Sequence, residues 1–510
     1  MTDAPLRIAV LGGGTAGWMA ANLFAQAWGG EGGRRRAEVT VIESPDIGII
    51  GVGEGSTPQL RAFFKKLGLA EADWMPRCNA TYKTGISFHG WSERPGYAHY
   101  FHPFVSELDV HTEGKFFQHC AARRAGVDLP ADPDRFFLPA YLAKHRLAPL
   151  PVASFPFDIT YGYHFDAHLV GAVLRDHAVW QGVRHLPVKV VNVAVGEGGL
   201  VEALVAEDGE RITADIFVDC SGFRGVIAQE ALGARFLPFA DNLFNDSAVV
   251  MPTPADPTGT NCHTKATVLS AGWAWDIPLT HRTGNGYVYS SRYIDHDAAE
   301  TELRRHLGLL DSDTPTRRLS MKVGRLEQSW TGNCLAVGLS QGFIEPLEAT
   351  ALHIVQATVE GFIDAWQAGN FTPHHRDAFN ATIAARYEGI RDYIVCHYRV
   401  NQRTDSEYWR DNARNDALSE SLKALMTCWF TGGDMLAEIA RQNIARYYPP
   451  LSWHCLLAGY GTFPDDSRLR APPDGAGYDM AAIDDFIARC AANFLGHDAA
   501  LARLGVAEAA

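Results

Sequence analysis

Three stretches of the chain carry residue types at spacings that chemistry uses. Gly12-x-Gly14-x-x-Gly17 follows the apolar run "RIAVL" and opens a helical pattern. Gly12 permits a tight turn, Gly14 lets the backbone approach a pyrophosphate, and Gly17 lets helix and strand pack closely. The helix start beyond them offers free N–H groups and partial positive charge to that pyrophosphate. Glu43, closing the next strand pattern, suits ribose hydroxyls. Its distance from Gly17 exceeds the usual ~20 residues, and the loop "GGEGGRRR" absorbs the difference. Gly338-x-Ser340-x-Gly342 spells a nucleophile elbow with Asp and His residues downstream. Against that reading, Pro346 falls where the elbow's helix should run, and a nucleotide fingerprint already stands at residue 12. His164 and His168 lie four apart in a helical pattern, but Phe165 occupies the glutamate position of HExxH, so both read as surface or cap histidines. His374-His375 is a loop pair without ligands at metal spacing. No metal site is expected.

"AGWAWDIP" (271–278) poses a different question. Alternate strand residues point the same way, so Trp273, Trp275 and Ile277 share a face, and Pro278 ends the strand or holds it at a sheet edge. Core packing is one explanation. The other is that this face keeps two things apart.

The elements that must position these residues follow from the pattern. Strand Arg7–Leu11, a glycine turn, helix Trp18–Ala27 and strand Glu38–Glu43 make a βαβ unit. "TYKTGISFHGW" alternates, with Tyr82, Thr84, Ile86 and Phe88 on one face and Lys83, Gly85 and Ser87 on the other. "YHFDAHLVGAVLRDHAVWQG" (163–182) has helical periodicity, and "VKVVNVAV" (188–195) is strand-like. A hairpin and a buried strand run to "DCSG", "NCLAVGLS" (333–340) reads as a further strand, and helices dominate from about 351. Interleaved strands and helices followed by a helical part make an α/β protein. The expected division is a dinucleotide-binding sheet domain over 1–350, with inserted segments at about 75–160, and a mainly helical part over 351–510. Glycine-bearing strand ends at "DCSGFRG" (219–225) and "AVGLSQG" (336–342) point to a long cofactor such as FAD, held by several segments.

At 510 residues, 47% hydrophobic and 20% charged, the chain can bury a sizeable core. A net charge of −14 disfavours nucleic acid and anionic membranes as partners. Nine scattered cysteines without a CxxC pair fit a reducing cytoplasm. No convincing signal peptide and no apolar run of membrane-spanning length is read.

Taken together, "GGGTAGWMAA" (12–21), "GVGEGSTP" (51–58), "WMPRCNATYKTGISF" (74–88), "YHFDAHLV" (163–170), "DCSGFRG", "FNDSAV" (244–249), "GWAWDIP" and "GLSQGFIEPLEAT" (338–350) resemble the flavin-dependent halogenases of the tryptophan halogenase type. Trp273-x-Trp275-x-Ile277-Pro278 satisfies that family's WxWxIP signature, while the C-terminal third is similar only in patches such as "SWHCLLAGYG" (452–461). The resemblance implies a Rossmann-type, flavoprotein monooxygenase-like FAD domain with an intertwined, mostly helical substrate-binding subdomain. It implies that FADH2 from a separate NAD(P)H-dependent reductase, with O2 and halide, gives hypohalous acid. That oxidant passes through an internal tunnel to Lys83 and Glu348, which halogenate an indole-type arene. Gly12, Gly14, Thr15, Ala16, Gly17, Glu43, Gly53 and Leu339 would hold the cofactor. Trp273 and Trp275 would screen the flavin from substrate.

Halide would rest on the backbone N–H groups of Thr350 and Ala351, where a helix begins. Family members commonly have Ser-Thr-Gly after the glutamate; here Ala349-Thr350-Ala351 follows, and the added Cβ leads to an expected preference for bromide. His102, Phe104, Trp453 and His454 would line the substrate pocket. The segment 427–448 does not match the family's tyrosine- and glutamate-rich stretch that holds an amino-acid end, so an indole without that end is expected. An ammonium and a carboxylate are a sufficient minimum for electrophilic aromatic substitution. The alternatives are a flavoprotein monooxygenase that hydroxylates its arene and a silent flavin-binding protein. The assembly expected is a monomer or homodimer.

Overall fold

The computed structural model describes residues 5–29, 37–46, 48, 53–472 and 480–505; most of the "GGEGGRRR" loop lies outside them. The chain forms two compact units, each built from three separate lengths of sequence. The first comprises Met1–Cys78, Phe165–Ala240 and Met321–Tyr387, and the second Asn79–His164, Asp241–Ser320 and Glu388–Ala510. The division therefore does not fall at residue 350: helix Ala351–Ala368 belongs to the first unit.

The first unit is organised by a six-stranded sheet in the order Trp330–Thr331, Cys334–Ala336, Ile216–Asp219, Leu6–Leu11, Ala37–Ile42, Arg184–Leu186. All pairs are parallel except the first hairpin. Buried on both faces, the central strands read as continuous apolar runs, as "RIAVL" and "IFVD" do. Helix Thr15–Trp28 leaves the first strand, and Asn22 Nδ2 donates to Leu174 O at 2.8 Å, tying it to helix Ala167–Trp180. Consecutive strand ends are stitched just past their last residues: Gly12 N to Ile42 O (2.8 Å), Cys220 N to Leu11 O (2.8 Å) and Val337 N to Asp219 O (2.9 Å). The carboxyl edge of a parallel sheet is where such folds bind ligands.

The second unit carries a seven-stranded sheet: Arg317–Ser320, Ser247–Pro254, Arg282–Tyr289, Gly272–Pro278, Thr264–Leu269, Gly85–His89, His99–Pro103. Its pairs are antiparallel except Thr264–Leu269 with Gly85–His89. Strand Gly272–Pro278 is central, so Pro278 ends it and no edge is involved. Ala274, from one face, packs with Val249, Met251, Tyr287, Tyr289, Ala299 and Leu303. Trp273 and Trp275 take the other.

Two expected elements differ. "TYKTGISFH" is not one alternating strand but two, Thr81–Lys83 and Gly85–His89, in different sheets and buried on both faces. The chain breaks at Thr84, whose N–H and hydroxyl both go to Cys262 O (2.8 and 2.9 Å). The 163–182 helix begins late: Gly162–Asp166 is a strand, and helix Ala167–Trp180 starts only where Asp166 caps it, accepting from His168 N at 3.1 Å. Alternating Tyr161, Tyr163 and Phe165 override the helical period there. Among the described residues no helix is long and apolar enough to cross a membrane.

Candidate active site

In the first unit the glycine turn makes a cradle that side chains would fill. Gly12 has φ +120°, and a Cβ on it would stand 2.2 Å from Cys220 O; one on Gly17 would stand 1.9 Å from Gly12 O. At Gly14 the Cβ position has no atom within 4 Å, and no side chain caps the helix that begins at Thr15. Half of the cradle is therefore closed by backbone and half is open, with uncapped N–H groups at the helix start. The Glu43 carboxylate lies against Gly13 and pairs through Oε2 with His185 Nε2 at 3.0 Å. Gly338 brings the 336–342 segment in, its Cβ position 2.9 Å from Ala16 Cβ. Leu339 beside it is half-buried, Thr15 is buried, and Gly53 is buried in strand Gly53–Gly55. A backbone cradle, a helix start and a carboxylate on the neighbouring strand fit a dinucleotide such as FAD.

Ser340 is no exposed nucleophile. Fully buried, its hydroxyl bonds to the carbonyls of Asp219 and Val337, bracing the loop. Farther along, Pro346–Glu348 forms a 3₁₀ turn, Ala349 takes a left-handed conformation (φ +54°), and helix Ala351–Ala368 follows. Glu348 and Thr350 are buried and Ala351 is exposed, so the chain presents a buried carboxyl just ahead of a helix start.

In the second unit Lys83 is 0% exposed. Lysine is almost never fully buried without a compensating reason, so composition alone would have put this side chain in water. Its Nζ lies 5.3 Å from the centroid of the Phe104 ring. The short strand carrying it is held from several sides. Thr81 Oγ1 donates to Pro278 O at 2.8 Å, Thr280 N to Asn79 O at 3.2 Å, and Tyr82 N to His497 Nε2 at 3.1 Å. The end of the tryptophan strand and the lysine strand are thus one construction. Trp273 and Trp275 are buried, with ring centroids 6.2 Å apart. Trp275 is paired with Gly286 across the sheet, and a Cβ there would meet its ring at 2.1 Å. Gly286 exists to let that indole lie flat on the next strand.

The substrate residues split. His102, buried, sits 6.2 Å from the Tyr393 ring, and Trp453 is 4.8 Å from the same ring. His454 points elsewhere: its Nδ1 bonds to Pro450 O at 2.8 Å, and its ring packs on Phe117 (4.4 Å) and Trp429 (5.6 Å). Neighbouring helix positions differ by about 100°, and Trp453 and His454 accordingly pack on different rings. Burial holds His454 down at about 4, so it stays neutral.

The tryptophan halogenase family model matches residues 7–472. The chain belongs to that family. It is 36% identical over 531 aligned residues to the 7-chloro-L-tryptophan 6-halogenase KtzR of Kutzneria sp. (strain 744), covering 97% of this chain and 99% of the relative. Among solved structures, Tar14, described as a tryptophan C-6 flavin-dependent halogenase (chlorinase) from taromycin biosynthesis, superposes with a TM-score of 0.84 at 32% identity, covering 98% of this chain and 100% of Tar14. BrvH, a flavin-dependent halogenase from Brevundimonas sp. BAL3, gives 0.82 at 33%, covering 98% and 99%. The fold is therefore the α/β, Rossmann-type FAD architecture, and the protein is an oxidoreductase of the flavin-dependent halogenase kind.

The sequence pattern misplaces one residue of this halogenase and does not signal others. His164 is neither on a helix nor at the surface: it is 0% exposed on strand Gly162–Asp166 and bonded at both ring nitrogens. The alternating aromatics "YGYHF" are the signal that would have found it. His168 is exposed, as expected. His497, some four hundred residues from Lys83 in sequence, had no signal. Neither had Asp219, whose buried carboxylate accepts from Ser221 N (3.0 Å), Ile227 N (2.9 Å) and Ala228 N (2.8 Å), shaping the "DCSGFRG" turn.

Proposed function

We propose that this halogenase uses Lys83 and Glu348 to place a halogen on an indole-type arene. The observation that carries the reading is the complete burial of Lys83 beside the Phe104 ring. When bound, reduced flavin supplies, with O2 and halide, the hypohalous acid. Residues around the glycine turn, with Glu43, Gly53 and Leu339, hold the cofactor. The N–H groups of Thr350 and Ala351 hold the halide, because a helix start favours an anion. Trp273 and Trp275 keep the arene from the flavin, and the oxidant reaches Lys83 through an internal passage. The Lys83 ammonium donates a hydrogen bond to the oxidant's oxygen, which makes the halogen more electrophilic. Glu348 accepts the ring proton as aromaticity returns. Exclusion of water from both groups protects the oxidant from loss.

KtzR and Tar14 are named for tryptophan substrates, and an indole ring is the common chemistry. His102, Phe104 and Trp453, beside Tyr393, form the apolar end of the pocket in this reading. We keep an indole without an amino-acid end as the expected substrate, because 427–448 lacks the family's stretch for that end. Bromide remains our expected halide on the strength of Ala351 alone, since Tar14 is described as a chlorinase. Reduced flavin comes from a separate NAD(P)H-dependent reductase by diffusion, and the protein works as a monomer or homodimer. The cytoplasm is the expected compartment, supported by nine unpaired cysteines.

The test is incubation of native enzyme and Lys83→Met with a flavin reductase, indole and tryptophan, and bromide and chloride in competition, read by product mass. Native enzyme is expected to give bromine isotope doublets on indole. Lys83→Met is expected to lose product by roughly 10²–10⁴-fold, the range for a positioned acid–base group. A hydroxylated product would favour the monooxygenase instead, and an unchanged Lys83→Met would remove the lysine's role.

A further inference from the structure

The bonds around the lysine strand fix where protons must be. Thr81 has one hydroxyl proton, and Pro278 O, 2.8 Å away, can only accept it. The Thr81 oxygen then has lone pairs left for His164 Nδ1 at 3.1 Å, so Nδ1 must carry hydrogen. A neutral ring with Nδ1–H has a bare Nε2, which accepts from Thr264 Oγ1 at 2.9 Å. At the strand's free edge, His497 Nε2 accepts from the backbone Tyr82 N at 3.1 Å, so it too is bare. Its Nδ1–H donates to Thr260 O at 3.1 Å. The bonds thus make His497 neutral and fix hydrogen on Nδ1 of both rings, and burial keeps His164 in the same neutral tautomer. Burial disfavours charge on His164, and Lys83, His497 and His263 nearby disfavour it further.

Register makes the link to Lys83. Thr81 pairs with His164, and Lys83 with Gly162, so Thr81, Lys83 and His164 lie on one face, and glycine leaves space opposite the lysine. From these bonds we propose that His164, with His497 at the strand's free edge, is a positioning residue for Lys83. Its Nδ1–H tautomer clamps a three-residue strand to Pro278 and Thr264, so that the amine is delivered at a fixed place. The proposal rests on the reading that Lys83 is the halogen-directing group.

Two measurements test it. Selective ¹⁵N-histidine NMR of the native protein is expected to show His164 as the Nδ1–H tautomer, unchanged from neutral pH down to the ordinary histidine range. An Nε2–H tautomer, or ordinary titration, would overturn the clamp. In steady-state assays with indole, bromide and a reductase, His164→Phe is expected to lower kcat on the order of 10²-fold, the cost of an ångström of misplacement. KM for indole should change little, and hypohalous acid released to a solution trap should be undiminished. Asparagine, whose amide reaches the Nδ1 position, should restore most of kcat, and glutamine, which reaches only Nε2, should not. Equal rescue by both, or parallel loss of product and free oxidant, would overturn the proposal. His168→Gln, on the exposed histidine of the same string, is the unaffected control. Lys83→Met run alongside separates the two readings: if it halogenates normally, the lysine's role fails, while the NMR result judges the clamp by itself.

Discussion

The glycine turn of the first unit and the lysine strand of the second are built in opposite ways. Between Gly12 and Gly17 function lies in backbone: N–H groups at a helix start, and positions that must lack a side chain because a carbonyl stands where a Cβ would go. Six consecutive residues specify it. Around Lys83 function lies in the side chains of Thr81, His164, Thr264 and His497 with the Pro278 carbonyl, whose only meeting place is the folded unit. A backbone device tolerates nearly any neighbour but no side chain at its closed positions, Gly12 and Gly17. A side-chain device tolerates conservative exchange but depends on protonation. The two should therefore fail differently.

Gly12→Ala should give the largest effect. With φ at +120° and Cys220 O in the way, strain of about 1–3 kcal/mol is expected to show as a lowered Tm, together with loss of FAD binding in a fluorescence titration. Native-like FAD affinity would break the contrast from the backbone side. Next comes acid. His497 is held down to about 4 by burial, against about 6.5 when unfolded. Its contribution to stability is therefore complete above about 6.5 and is lost as pH falls toward 4, amounting to at most about 3.5 kcal/mol at ~1.4 kcal/mol per unit. His454, at about 4, and His397, at about 3, act in the same direction. Urea unfolding from pH 7 down to 4.5 should show falling stability, with a shallower slope in His497→Gln, whose amide oxygen can still accept from Tyr82 N. An unchanged slope would show that the second unit does not depend on neutral imidazole. The smallest effect is Ala349→Gly. Relief of the left-handed strain, about 1–2 kcal/mol, is largely offset by added chain entropy, so a Tm rise of a few degrees or less is expected. A fall would mean that Ala349's methyl is worth more in packing than its φ of +54° costs.

Legibility in the sequence followed the same divide. The βαβ start was readable because strand, turn and helix are contiguous and each has its own period; observed strand Leu6–Leu11 and helix Thr15–Trp28 differ from expectation only at their ends. The alternation over Tyr82–Phe88 was real but misled, because Thr84 breaks the strand by turning both its polar groups to Cys262. The helix expected from residue 163 failed over its first four residues, where strand pairing with Thr81–Lys83 outweighs helical propensity. Trp453 and His454 are adjacent in sequence, and only the fold shows that their rings meet different neighbours, Tyr393 and Phe117.

What the sequence determined alone is whatever local geometry dictates: the nucleotide turn, the tryptophan strand, and the helix that follows Glu348. Only the tertiary structure decided that Lys83 is buried, that His164 is a strut and His168 is not, and that Ser340 braces a loop. The physical reason is that burial and hydrogen-bond partners depend on which distant segments arrive. An ammonium, an imidazole or a hydroxyl has no fixed role until its surroundings decide whether water can reach it.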